Sequence, residues 1–203
     1  MARTFNRSPL ALAVLGLLYE APMHPYRMQQ LIKERGKDKV INVQRRASLY
    51  QTISQLEKAG LITVKETVQD ENRPERTIYA LTDRGQQTIE QWLRDMLSTP
   101  TAEFPEFPAA ISFLPLLTPD DALRQLEKRE TALAEMLTTL DSEMQHYLQS
   151  LPRLVLLEEE LLRATYVAEL EWVRSIIDDL RTERLTWNNE MLRKFLSDNA
   201  SDR

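Results

Sequence analysis

INVQRRASLYQTISQLEKAGLI, residues 41–62, sets two adjacent arginines ahead of a helix-length run and ends that run on a glycine. At 100° per residue, Leu49, Ile53 and Leu56 fall on one face. Ala47, Gln51, Ser54 and Lys58 fall opposite, with Gln44 and Gln55 on the flank. The spacing predicts an amphipathic helix stopped by Gly60. A merely solvated face is usually rich in Glu, whereas here only Glu57 is acidic, and it lies beside the apolar face. Gln can pair two-pronged with an adenine edge, Ser can donate or accept, and Ala can touch a thymine methyl. Arg45 and Arg46 precede the first turn, within reach of phosphates or guanine. These residue types suit a helix that reads a DNA groove; simple solvent exposure is the competing reading of the same face.

The flanking sequence supplies a frame for such a helix. Ser8 and Pro9 read as an N-cap followed by proline at the first helical position, opening a helix to about Glu20 whose apolar residues surround its axis. PMHP ends it, and a second helix is expected from Pro25 to Arg35, stopped by Gly36. Beyond Gly60, ITVKETV and RTIYAL are short β-branched or aromatic runs separated by QDENRPE, the composition of a hairpin loop. Thr82 then caps a fourth helix, DRGQQTIEQWLRDML. Three helices, a two-stranded hairpin and a helix are the order of a winged helix-turn-helix. In the hairpin, or wing, Arg73 and Arg76 flank the loop tip and Lys65 lies on the partner strand, which suits contact with a nucleic-acid backbone. Asp70, Glu71 and Glu75 oppose that role.

Composition separates two halves. The net charge of −5 argues on its face against a nucleic-acid partner. Yet residues 1–95 carry 15 Lys and Arg against 11 Asp and Glu, a balance of +4, and residues 96–203 carry 11 against 20, a balance of −9. Phosphate contacts therefore belong to the first half. All four glycines lie at or before Gly85, so the rest is expected to be helical. The proline-punctuated PTAEFPEFPAA, from Pro100, reads as a linker. The division expected is a DNA-binding domain over 1–99 and an all-helical dimerisation or effector domain over 100–203, in a mainly α fold. The second half should hold a short helix near Phe107–Leu114, a helix from the Thr118 cap to about Leu148, and another from Pro152 to about Arg184. In that last helix Leu154, Leu157, Leu161, Thr165, Ala168, Trp172, Ile176 and Leu180 recur at spacings of three and four. This stripe needs another helix to cover it, either a second copy or the Leu123–Leu148 helix.

LALAVLGLLYEAPMHPYRMQQLI, ASLYQTISQLEKAGLI and RTIYALTDRGQQ together resemble the N-terminal domain of the PadR family of transcriptional regulators. The family's small-residue-His-Pro-Tyr turn is matched by Met23-His24-Pro25-Tyr26, its Leu-Tyr helix start by Leu49-Tyr50, its Leu-Glu-x-x-Gly-Leu exit by Leu56 to Leu61, and its Tyr-x-Leu-Thr-x-x-Gly wing exit by Tyr79 to Gly85. Met23 and Gln51 depart from the usual glycine and proline, and Gln51 changes what the helix would read. ATYVAELEWVRSIIDDL is similar to the helix that carries the intertwined dimer of longer members. The resemblance implies a homodimeric repressor on a palindromic operator, released by an effector, phenolic acids and toxic aromatic drugs being known classes.

The candidate DNA-binding set is Gln44, Arg45, Arg46, Ala47, Ser48, Tyr50, Gln51, Ser54, Gln55 and Lys58 from the third helix, Tyr26 and Arg27 from the second, and Lys65, Arg73 and Arg76 from the wing. Trp92, Phe107, Phe113 and Trp172 are the candidate aromatic lining of an effector pocket, with core packing as their competing role. Two histidines and no cysteine give little material for a metal site, and His24 reads as a turn residue. Neither a Gly-rich phosphate loop nor a Ser/His/Asp pattern is present, so no enzymatic activity, cofactor or metal is expected. The apolar run Leu10–Leu18 is far shorter than the roughly 20 residues that span a bilayer, so a cytoplasmic protein is expected. The alternative class is a winged-helix adaptor that binds a protein partner without DNA, which the net acidity favours.

Overall fold

The computed structural model describes residues 7–39, 41, 46–68, 76–188 and 191, and in it four helices begin on a side chain that accepts a backbone N–H three residues on. The chain divides into two compact units, Met1–Ala102 and Glu103–Arg203. In the first unit the order is α1 (Pro9–Glu20), α2 (Pro25–Glu34), α3 (Arg46–Lys58), β1 (Ile62–Val68), β2 (Arg76–Leu81) and α4 (Asp83–Ser98). This is the winged-helix order expected from the sequence. A short 3-10 turn over Lys37–Lys39, not foreseen, follows Gly36, whose φ of 65° ends α2. The core gathers Val14, Leu15 and Leu18 of α1, Met28 and Ile32 of α2, Leu49, Ile53 and Leu56 of α3, and Ile89 of α4.

The exit of α3 is closed in two ways. Gly60 sits at φ 69°, its N–H donating to the Glu57 carbonyl at 2.8 Å, while the Leu61 N–H donates to the Leu56 carbonyl at 3.0 Å. This pair of bonds satisfies carbonyls that a helix end otherwise leaves open, and the left-handed φ favours glycine. Thr82 then ties that turn to α4. Its backbone N–H donates to the Leu61 carbonyl at 3.1 Å, and its hydroxyl lies 2.8 Å from the Gly60 carbonyl and 3.0 Å from that of Leu61. The same hydroxyl accepts the Gly85 N–H at 3.0 Å. Thr82→Ala removes a cap and a tertiary hydrogen bond together and should cost about 2 kcal/mol in urea unfolding, whereas Thr82→Ser should be close to neutral.

β1 and β2 pair antiparallel, Ile62 opposite Leu81 and Val64 opposite Tyr79, but beyond this the register moves to Glu66 opposite Ile78. Lys65 is thus an extra, unpaired residue, a β-bulge inside the wing. The turn between α1 and α2 also joins the sheet. Met23 and Tyr79 exchange both backbone bonds, each 3.1 Å long.

The second unit holds α5 (Glu106–Ser112), α6 (Pro119–Leu148) and α7 (Leu157–Arg181), with 3-10 turns at Leu114–Leu116 and Arg153–Leu156. The last helix differs from expectation at both ends. Its Pro152 start is a 3-10 turn, and it stops at Arg181, where Glu183 reverses the chain at φ 56°. α6 and α7 form an antiparallel hairpin around Leu126, Leu133, Leu170, Val173, Ile177 and Leu180. Ion pairs cross it in opposite order along the two helices, Glu127 to Arg181 (2.7 Å), Glu130 to Arg174 (2.8 Å) and Asp141 to Arg163 (2.6 Å). The apolar stripe of α7 is divided. Leu180 is buried and Ile176 half-buried against α6, whereas Leu154 (79 % exposed), Leu157, Leu161 (70 %) and Trp172 stand open in the single chain. Among the described residues no helix is long and apolar enough to cross a membrane.

Candidate nucleic-acid interface

α3 presents the two faces that its spacing requires. Leu49, Ile53 and Leu56 are buried in the core, and Ala47, Gln51, Gln55 and Lys58 are exposed. Ser48 and Ser54 are half-buried, and the Ser48 carbonyl accepts the Thr52 hydroxyl at 2.8 Å, a bond that leaves Thr52 facing its own helix. Gln44, Arg45 and Arg73 lie outside the described residues, as does the side chain of Arg46, the first residue of α3. In the wing, Arg76 is exposed at the start of β2, and Lys65 is exposed at the bulge. Arg27 is already engaged, its guanidinium bonded to both carboxylate oxygens of Glu34 at 3.1 and 3.3 Å. Exposed pairs of this kind are weak, so a phosphate can compete for it.

The structure brings Tyr26, Tyr50 and Arg76 together with His24, Thr77 and Tyr79 around a cleft of about 190 Å³. The Met23–Tyr79 pairing places it there, because it holds the residue before His24 against the middle of β2. Tyr26 and Tyr50 remain 58 % and 55 % exposed at its edge. His24 caps α2 through Nδ1, which accepts the Arg27 N–H at 3.1 Å, and its ring stacks near that of Tyr26 with centroids 6.2 Å apart. Burial, then the charges of Arg76 and Arg27, hold the His24 imidazole below its ordinary value, so it is neutral at pH 7. Burial and the nearby Glu57 and Tyr50 push the Tyr79 phenol up, which keeps it protonated. Neither His24 nor Tyr79 was among the residues expected at this surface. A His before Pro-Tyr reads as a turn, and only the cap geometry gives it a defined tautomer.

The four aromatic candidates fall in both units. Trp92 packs on the core of the first unit. In the second unit Phe107 meets Trp172 edge-on at 5.9 Å, and the Arg129 guanidinium, bonded to Glu169, lies 3.5 Å over the Phe107 ring. Phe113 is exposed. No group of three or more His, Asp or Glu residues suited to a metal ion occurs among the described residues.

Residues 14–91 match the family model described as the transcriptional regulator PadR-like family. Over these residues the chain resembles that family. That match spans α1 from Val14 through the wing and into α4, the elements that build the cleft and expose α3. A curated relative, the negative transcriptional regulator PadR of Bacillus subtilis, is 28 % identical over 131 residues, 63 % of this chain and 70 % of the relative. Two solved structures of the Bacillus subtilis protein share the fold of this chain beyond those residues. Its complex with operator DNA superposes with a TM-score of 0.66 at 22 % identity, covering 85 % of this chain and 99 % of that one. Its complex with p-coumaric acid gives 0.68 at 20 % identity, covering 85 % and 98 %. The fold, with helices following the winged domain, is therefore shared across most of both chains.

Proposed function

We propose that this chain is a sequence-specific DNA-binding transcriptional regulator, a cytoplasmic homodimer that represses by occupying a palindromic operator and is released by a small aromatic effector. It performs no catalysis of its own. The observation that carries the reading is the exposed row Ala47, Gln51, Gln55 and Lys58 on a helix whose other side is locked into a winged-helix core. The resemblance to the PadR-like family supports it, as do relatives of the same fold solved with operator DNA and with p-coumaric acid. In this reading the 1–99 domain binds DNA, the 100–203 domain dimerises, and the open stripe of α7 is the seam between copies. Trp92, Phe107, Phe113 and Trp172 stand as the candidate residues for the effector.

Two recognition helices held about one turn of DNA apart suit a palindrome. The test is a gel shift on the DNA upstream of the gene and on duplexes selected from random sequence, each at two salt concentrations. Phosphate contacts release counterions, so a discrete complex should weaken steeply with salt, whereas docking to a protein partner would not need DNA at all. Replacing Arg45 and Arg46 by Ala should weaken binding across all sequences and lower the salt slope by about one per lost phosphate contact. Gln51→Ala should instead relax base preference at one position, by about 1–3 kcal/mol of discrimination. Unchanged binding in both variants would remove α3 from the interface.

A further inference from the structure

The cleft between the start of α2, α3 and β2 is chemically one-sided. Arg76, Tyr26, Tyr50 and Tyr79 line it, and among the described lining residues there is no carboxylate, Glu57 acting on Tyr79 from outside the lining. His24 adds a donor by elimination. Its Nδ1 accepts the Arg27 amide hydrogen, so the proton of the neutral ring resides on Nε2. Arg27 itself is paired with Glu34. Donors without an acceptor carboxylate are the chemistry of an anion seat. Its position next to the exposed side of α3 and against strand β2 of the wing names the anion: a duplex lying along α3 would run its backbone past both.

The geometry points to His24 as a DNA-contacting residue, which with Arg76 and Tyr26 seats a single backbone phosphodiester of the bound duplex in this cleft. The seat rests on the DNA-binding reading above and deepens it by fixing the register of the protein on the backbone, independently of the bases that α3 meets. Burial, then the charges of Arg76 and Arg27, hold the ring neutral, so the positive potential in the cleft comes from arginine and does not depend on protonating His24.

His24→Asp separates this role from a structural one. Asp is among the best N-caps, so α2 keeps its cap and thermal stability should be unchanged or raised. The same carboxylate faces the phosphate, and affinity for a duplex selected with the wild-type protein should fall at least tenfold. His24→Asn keeps both the cap and a neutral donor and should restore most of the affinity. Methylphosphonate substitutions, which remove the charge of one phosphate at a time, should reveal one position per half-site that costs the wild type about tenfold and costs His24→Asp nothing. Arg76→Gln, at an exposed residue, should lose sensitivity at the same position. If wild type binds the duplex but no position couples to His24 or Arg76, the seat is overturned while the regulator reading stands. If inorganic phosphate alone perturbs the His24 ring resonances and no methylphosphonate position matters, the cleft takes free phosphate and the DNA seat is likewise overturned. If wild type binds no duplex from either source, both readings fall together.

Discussion

Leu161→Asp should leave the chain folded, sediment as a monomer and lose at least about 100-fold in affinity for its operator. The argument begins with exposure. Leu161 is 70 % exposed in the single chain and lies on the open part of the α7 stripe, with Leu154 and Leu157. A surface substitution away from the core usually changes the stability of the folded copy by no more than about 0.5 kcal/mol. Against a partner helix the same position is a buried leucine, worth about 1.5–3 kcal/mol per copy before the cost of burying a carboxylate. Losing the dimer removes the second recognition helix, and linked binding modules commonly gain 10²–10⁴ from their tether. Val173→Asp is the contrasting control. Val173 is fully buried between α6 and α7, so its replacement should unfold the second unit rather than only part the copies. Analytical ultracentrifugation with circular dichroism distinguishes the two. A dimeric Leu161→Asp that binds DNA normally would place the seam elsewhere.

The second large effect concerns stability. Gly85→Ala should destabilise the first unit by about 3 kcal/mol or more, read as a lowered urea midpoint with unchanged slope. An added Cβ would lie 2.0 Å from the Leu61 carbonyl oxygen and 2.7 Å from Leu81 Cδ1. The first of these is backbone that already accepts the Thr82 N–H, so it has no room to retreat without breaking that bond. By contrast Gly16→Ala meets only Ile89 Cδ1 at 3.8 Å, an ordinary contact, and within a helix alanine is intrinsically favoured. Gly16→Ala should therefore be neutral or stabilising. Gly85 is required by close approach rather than by a left-handed backbone.

The order of elements was legible because the hydrophobic period changes where the structure changes, from three-and-four spacing in α3 to short β-branched runs in the wing. Caps at Ser8, Thr82 and Thr118 announced their helices for the same local reason. What stayed hidden depends on contacts between distant residues. ITVKETV gives no sign that Lys65 is extra, because the bulge is set by what β2 places opposite it. The α7 stripe was visible as a period, but α6 covers the adjacent face of Leu170, Val173 and Ile177, and this leaves most of the stripe open. His24 looked like punctuation between two helices. Its place at the cleft follows from the pairing of Met23 with Tyr79, which no local pattern encodes.

That pairing joins two residues 56 positions apart in the chain. Closing so long a loop costs entropy that only the finished sheet and core repay, so the α1–α2 turn has no reason to settle before β2 arrives. The surface proposed to face DNA is consequently not a preformed helix to which a wing is later added. His24 and Tyr26 meet Tyr50 and Arg76 only when the first and last thirds of the unit have closed on each other, so a partly folded or truncated chain would possess α3 and still lack the recognition surface.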